Sequence, residues 1–135
     1  MGRRGPISQS KQIQAPAGPP ECPKDFDAVE KSIWRRICAD LTDVGTMAKT
    51  DRASLTELVL TIARRDRLLK TIRDEGETWQ DDKGNYKPRP ESTIATQLTR
   101  IIIALEDRFG LTPAGRMRVS SALDKGDETD ALTDF

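Results

Sequence analysis

The chain has 135 residues, of which 22 are basic and 22 are acidic, so its formal net charge is zero. This length suits one domain with one modest core. Only 36% of the residues are hydrophobic and 33% are charged, so the core must be economical or completed by neighbouring subunits. The zero net charge also removes overall basicity as an argument for nucleic-acid binding.

The residue types that usually carry catalysis or bind metal ions are scarce in the sequence. There is no histidine for general acid–base work and no G-x-x-x-x-G-K-[ST] loop for ATP. Cys22 and Cys38 cannot by themselves form a standard zinc site, and they suit a reducing cytoplasm. No apolar run is long enough to span a membrane, and no secretory signal follows the first arginines. The sequence therefore predicts a protein that is not an enzyme and has no cofactor or metal.

Charge is distributed unevenly between the two ends of the chain. Residues 1–24 carry four cations and one carboxylate, whereas residues 124–135 carry one cation and five carboxylates. Eight of the first 23 residues are glycine or proline, which disfavours a regular element. These patterns predict a disordered basic arm over residues 1–23, a helical oligomerisation core over residues 24–123 and a flexible acidic tail over residues 124–135. Charged ends of this kind commonly contact partners.

Apolar side chains at helical spacing predict a first helix over about residues 25–43. Its stripe consists of Phe26, Val29, Ile33, Trp34, Ile37 and Leu41. Cys38 falls in the same helix and is expected to be a small core residue. Gly45 is a suitable residue to end the helix.

A second helix is predicted to begin after an N-cap at Thr50 and to end near Glu75. Its main stripe consists of Leu55, Leu58, Val59, Ile62, Leu69 and Ile72. Asp66 falls inside this stripe, Arg65 lies near its edge, and Leu60 points to the opposite face. A charge in an apolar stripe needs a partner, and an apolar back-face residue indicates a second contact surface. Contact with another subunit explains both features; the alternatives are an internal ion pair and an ordinary exposed leucine.

A β-hairpin is predicted over residues 77–90, where Trp79 and Tyr86 flank a polar turn that contains Gly84. Pro88 and Pro90 prevent the hairpin from growing. An isolated hairpin is only marginally stable, so we expect it to pack on a helix or on a neighbouring subunit.

A third helix is predicted over about residues 93–109, with Ser92 as its cap and Ile103 opposite the apolar face. Gly110 then ends this helix, Thr112 caps the next one, and Pro113 occupies its first position. The fourth helix is predicted to be short, over about residues 113–123. The resulting fold class is mainly α, with about four helices, one short β-hairpin and two loose ends.

The order of these features resembles the small terminase subunits of tailed bacteriophages. The resemblance begins with "GRRGP", continues with the Trp34 helix and "GTMAKTD", and includes the turn from Gly84 to Pro90. It ends with "FGLTPAGRMRV", which carries the residues that resemble the C-terminal signature of the family. These residues are Phe109, Gly110, Leu111, Thr112, Pro113 and Arg116.

The resemblance implies a function that the residues alone do not establish. Small terminase subunits are non-enzymatic, assemble into homo-oligomeric rings and engage viral double-stranded DNA. They recruit or regulate the large terminase subunit, which carries the ATPase motor and the nuclease. The resemblance therefore implies a viral protein of the host cell cytoplasm, with viral DNA and the large subunit as partners. It also implies an oligomer interface, for which the candidates are Leu60, Arg65, Asp66 and Ile103.

No recognition helix for DNA stands out, so DNA contacts are assigned to distributed cations. The candidates are Arg3, Arg4, Lys11, Lys49, Arg52, Arg64 and Arg67. Arginines next to glycines can enter a minor groove, although a merely solvated arm is the alternative. For Arg116 and Arg118 we expect pairing with carboxylates within or between subunits.

Two other functions remain open at this point. One is a small dimeric helical DNA-binding transcriptional regulator, and the other is a protein adaptor that makes no contact with DNA. We further expect the acidic tail, or the surface near it, to contact the large subunit.

Overall fold

The computed structural model describes residues 16–132. Four α-helices, one short 3₁₀ helix and a two-stranded hairpin follow one another along this part of the chain. In chain order they are α1 (Ala28–Val44), a 3₁₀ turn (Lys49–Asp51), α2 (Arg52–Glu75), β1 (Thr78–Gln80), β2 (Tyr86–Pro88), α3 (Pro90–Phe109) and α4 (Pro113–Leu132). The predicted fold class, mainly α with about four helices and a hairpin, is confirmed.

The core lies between α1, α2 and α3, which present their apolar stripes to one another. Six side chains in it are almost fully buried: Leu41, Leu55, Leu58, Val59, Ile62 and Ile102. Phe26 and Trp34 close one end of the core with an edge-to-face contact, their ring centroids 5.7 Å apart. Cys38 packs against this core as predicted.

The ends of α1 are set by local hydrogen bonds. Asp27 accepts a bond of 2.8 Å from the Glu30 amide, and the Glu30 carboxylate accepts the Asp27 amide in return. This capping box starts the helix three residues later than predicted. Gly45 ends it in the left-handed region with φ 77°, as predicted. The prediction that Val29 belongs to the buried stripe is wrong, since it is 60% exposed at the margin of that stripe.

The predicted caps of α2 and α3 are both wrong, for local reasons. Before α2 the chain makes a 3₁₀ turn, and the Asp51 carboxylate accepts a bond of 3.0 Å from the Ala48 amide. Thr50 therefore lies inside this turn. Helix α3 begins at Pro90, whose fixed φ and missing N–H suit a first helical position. Ser92 is therefore the third residue of the helix rather than its cap.

The predicted hairpin is confirmed as an antiparallel pair in which Trp79 lies opposite Lys87 and Gln80 lies opposite Tyr86. It connects α2 to α3 and extends beyond the core, with both strands exposed. Arg89 anchors its base, because its guanidinium contacts both the carboxylate and the carbonyl of Glu75 at 3.1 Å.

The described part of the predicted arm, residues 16–23, lies against the helices. The Pro16 carbonyl accepts a bond of 3.0 Å from the Lys49 amide, and Ala17 forms an isolated bridge with Ala48. Pro20 and Pro23 are buried. The predicted arm boundary at residue 23 is thus corrected, because these prolines add to the apolar packing. Residues 1–15 lie outside the described part of the chain.

The fourth helix is longer than predicted, since it continues to Leu132 rather than ending near residue 123. Residues 124–132 lack an apolar stripe, which is why apolar periodicity did not reveal them. The predicted acidic tail is therefore helical up to Leu132, and residues 133–135 lie outside the described range. Among the described helices, none is both long and apolar enough to cross a membrane.

Candidate functional surfaces

The corner between α3 and α4 is built as the sequence predicts. Gly110 adopts φ 77° and donates its N–H to the Asp107 carbonyl at 3.1 Å. The Thr112 hydroxyl caps α4 by accepting a bond of 3.0 Å from the Gly115 amide. Pro113 follows as the first residue of the helix. Residues 110–115 therefore provide the stop, the cap and the first turn that form the corner.

Asp107 joins the two helices across this corner. Its carboxylate accepts a bond of 2.7 Å from the Thr112 hydroxyl and forms an ion pair with Arg118. The Thr112 hydrogen bond is the largest influence on the pKa of the Asp107 carboxyl, and it holds this pKa below its ordinary value. Burial opposes it, and the hydrogen bond and charge of Arg118 lower the pKa further. Arg118 thus has the kind of partner that we expected. Arg116 instead donates to the Leu111 carbonyl at 3.2 Å.

The predicted DNA-contact cations do not form one cluster. Arg3, Arg4 and Lys11 lie outside the described residues. Arg52 donates from Nε to the Glu21 carbonyl at 3.0 Å, which connects α2 to the segment before α1. Lys49 and Arg64 are exposed, and no ion pair involves them in the part of the chain that the structure describes.

Arg67 lies near the N-terminus of α1. The pKa of the Asp27 carboxyl is lowered, first by the hydrogen bond from the Glu30 amide and, to a small extent, by the Arg67 charge. This effect brings Arg67, in the C-terminal half of α2, into the neighbourhood of the start of α1.

One outer face of α2 carries residues for which the sequence predicts two different functions. Leu60, a predicted interface residue, is 39% exposed. Arg64 and Arg67, predicted DNA contacts, follow Leu60 by four and seven residues. At about 3.6 residues per turn, all three share one face of the helix. A subunit contact that buries Leu60 would therefore also cover Arg64 and Arg67.

The other predicted interface residues are also at the surface. Asp66 is not buried, as its side chain is 48% exposed and lies 3.4 Å from the Arg65 guanidinium. Asp66 thus has an ion-pair partner within the chain, and the pair lies at the surface. Arg65 is more covered than its partner, and its Nε is buried without a hydrogen-bond partner. Ile103 is 54% exposed on α3, opposite the core.

A groove that the sequence did not reveal lies where the C-terminal half of α1 meets the α3–α4 corner. Its volume is about 560 Å³, and it is lined by Arg36, Ile37, Asp40, Asp43, Val44, Glu106, Leu111 and Arg116. Ile37, Val44 and Leu111 provide an apolar floor, and the other residues form a charged rim. These residues come from three separate elements, so no local sequence pattern could have grouped them.

The fold and these features define a small helical bundle with charged and apolar side chains grouped on its outer faces. Among the side chains that the structure describes, no cluster of three or more histidine, cysteine or acidic residues is arranged to hold a metal ion.

Comparison with protein-family models gives the family of this bundle. The model described as phage terminase, small subunit, matches residues 31–126, from α1 into the second half of α4. The chain therefore belongs to the family of phage terminase small subunits, which supports a role in phage genome packaging. The match includes Trp34 and the residues of the α3–α4 corner, whereas "GRRGP" precedes it. Comparisons with curated proteins and with solved structures found no match.

Proposed function

We propose that this protein is a ring-forming, non-catalytic small terminase subunit of a tailed phage. In the host cell cytoplasm it engages viral double-stranded DNA and recruits or regulates the large terminase subunit. The observation that carries this proposal is the family match, because it spans nearly the whole helical bundle. Exposed apolar side chains on outer faces, Leu60 on α2 and Ile103 on α3, support assembly with further copies.

The mass of the full-length protein in solution tests the ring. Light scattering coupled to size-exclusion chromatography should give one multi-subunit species at micromolar concentration. A monomer under these conditions would contradict the ring, and a dimer with tight, sequence-dependent DNA binding would favour the transcriptional regulator. If replacing the candidate DNA-contact arginines and lysines leaves DNA retention unchanged, the result would favour the protein adaptor.

The acidic end of α4 is proposed as the contact for the large subunit. Residues 124–130 carry Asp124, Asp127, Glu128 and Asp130. Because α4 continues to Leu132, replacing these four with their amides is a cleaner change than truncation, since it keeps the helix length. Stimulation of the large-subunit ATPase should fall, while the oligomer mass is unchanged. A control with Asp25, Asp74, Glu77 and Asp82 changed to amides should stimulate normally, and equal stimulation by both variants would rule out this contact.

A further inference from the structure

The outer face of α2 bears a short ridge that combines one apolar residue with charges of both signs. The ridge consists of Glu57, Leu60, Arg64 and Arg67, which recur at spacings of three or four residues. All four are exposed. In the described part of the chain none of the three charged members forms an ion pair. The ridge thus carries a net charge of about +1 with an apolar centre.

The groove at the α3–α4 corner carries a net charge of the opposite sign. Its rim carries the carboxylates Asp40, Asp43 and Glu106 and the guanidinium groups of Arg36 and Arg116, which is a net charge of about −1. None of the three carboxylates is in an ion pair with another described residue. Val44 and Leu111 in its apolar floor are partly exposed.

The two surfaces also match in length. From Glu57 to Arg67 the ridge spans about 15 Å of helix, and the α1 wall of the groove, from Arg36 to Val44, spans about 12 Å. A ridge with an apolar centre and a groove with an apolar floor can bury these side chains together. Their charged borders can then pair cation with carboxylate.

One copy of the chain cannot form this contact with itself. The Arg67 charge acts weakly on Asp27 at the start of α1, whereas the groove lies along the second half of the same helix. From Asp27 to Asp40, the nearest carboxylate of the groove on this helix, the helix covers about 20 Å, which is beyond the reach of an arginine side chain. The ridge therefore needs the groove of a second copy.

We propose that the ridge of one subunit binds in the groove of the next. Leu60 packs against Val44 and Leu111, while Arg64 and Arg67 pair with the carboxylates of the rim. Glu57 faces the rim arginines. The contact joins two different surfaces, so it is head-to-tail and can close into a ring. This inference rests on the proposed ring and specifies its interface.

The interface changes the assignment of the DNA contacts. Arg64 and Arg67 are covered by the neighbouring subunit and leave the set of DNA-binding residues. The remaining candidates are Lys49 and Arg52 at the start of α2 and the three cations of residues 1–15.

Charge reversal in the full-length protein tests the contact. Arg64→Glu/Arg67→Glu places like charges against the groove, so assembly should require at least about 100-fold more protein than the wild type. The matched control Arg73→Glu/Arg100→Glu makes the same charge change at exposed arginines outside the ridge, and it should assemble as the wild type does. Adding Asp40→Arg/Asp43→Arg to the first variant restores opposite charges and should restore the assembly mass.

A cysteine pair gives a second measurement that does not depend on the rescue variant. In a Cys22→Ser/Cys38→Ser background, Leu60→Cys/Leu111→Cys should yield a ladder of covalent oligomers after mild oxidation. Each single substitution should give at most a dimer. Absence of the ladder from a protein that still assembles would overturn the proposed interface.

The outcomes separate this inference from the proposed function. A wild-type monomer would contradict the ring itself. A wild-type ring that survives Arg64→Glu/Arg67→Glu, while losing DNA retention, would overturn the interface and return both arginines to the DNA surface.

Discussion

At the residue scale, the α3–α4 corner depends on one close approach. A Cβ added at Gly115 would lie 2.4 Å from the Asp107 carbonyl oxygen and 3.0 Å from the Gly110 Cα. Both are backbone atoms, which cannot rotate away as a side chain would. The absence of a side chain at position 115 therefore sets how closely the first turn of α4 packs on the end of α3.

Gly115→Ala should destabilise the folded chain by about 1–3 kcal/mol, as expected for overpacking in a close contact. The destabilisation should be visible as a lower urea midpoint with an unchanged slope. Ser120→Ala, at an exposed position of the same helix, is the control and should leave the midpoint nearly unchanged. A variant as stable as the control would show that the corner relaxes without cost.

The carboxylate of Asp107 makes the stability of the corner depend on pH. Its folded pKa is held below the ordinary value of 3.8, first by the Thr112 hydroxyl and then by Arg118. A carboxyl with a depressed folded pKa stabilises the fold above its unfolded pKa, and this contribution is lost as pH falls through the folded value. The relevant window therefore lies below about pH 5.

Asp107→Asn should accordingly be less stable than the wild type at pH 7, with a difference that shrinks as the pH falls through this window. Urea unfolding at a series of pH values measures the difference. Asp74→Asn removes an exposed carboxylate that has no ion pair among the described residues, so it controls for net charge. A difference that stays constant down to the lowest pH would argue against a stabilising role of the Asp107 charge.

At the element scale, the hairpin is held to the bundle mainly through its base. The Arg89 guanidinium contacts the Glu75 carboxylate and carbonyl at 3.1 Å, and the Arg89 amide donates to the Glu77 carbonyl at 2.8 Å. The strands themselves are exposed, and Lys87 lies over the Trp79 ring at 5.6 Å. Two three-residue strands provide little stability of their own.

Arg89→Ala should therefore loosen the hairpin while leaving the three-helix core intact. Amide hydrogen exchange in residues 78–88 should accelerate roughly 5- to 10-fold, which corresponds to a local destabilisation of about 1 kcal/mol. Exchange at Leu58 and Ile62 should not change. Arg100→Ala is the control at an exposed arginine of α3, and equal exchange in both variants would show that Arg89 does not hold the hairpin.

At the scale of the whole molecule, a symmetric ring would repeat the same weak DNA contacts in every subunit. The chain is neutral overall, yet residues 1–15 carry Arg3, Arg4 and Lys11 without a carboxylate. In a ring, each subunit contributes this charge to the same DNA, so phosphate contacts that are weak singly add through effective concentration.

Removal of residues 1–15 should weaken DNA retention and make it less sensitive to salt. The slope of log K against log[salt] should become shallower by about 0.9 for each DNA phosphate that the shortened protein no longer neutralises. The structure provides the cut point, because the bond between the Pro16 carbonyl and the Lys49 amide remains in the shortened chain. The oligomer mass serves as the control. It should correspond to the same number of subunits as in the full-length protein. An unchanged salt slope would exclude these residues from the DNA-binding surface.

The sequence by itself determined the elements and most of their ends, because these depend on signals a few residues apart. Apolar periodicity identified α1, α2 and α3, and Gly45, Gly110 and Pro113 marked boundaries through their own backbone preferences. The family could also be inferred, since its motifs follow one another in a fixed order. The predicted caps Thr50 and Ser92 were wrong by one and three residues, because Asp51 caps α2 and Arg89 caps α3.

Only the tertiary structure decided which distant residues meet. The pairing of Asp107 with Arg118 requires the corner to fold α4 back on α3, and the groove requires α1 and α3 to end side by side. The helical continuation to Leu132 also escaped prediction, because it has no apolar stripe. The ion pair and the groove arise from contacts across elements, and such contacts produce no hydrophobic period in the sequence.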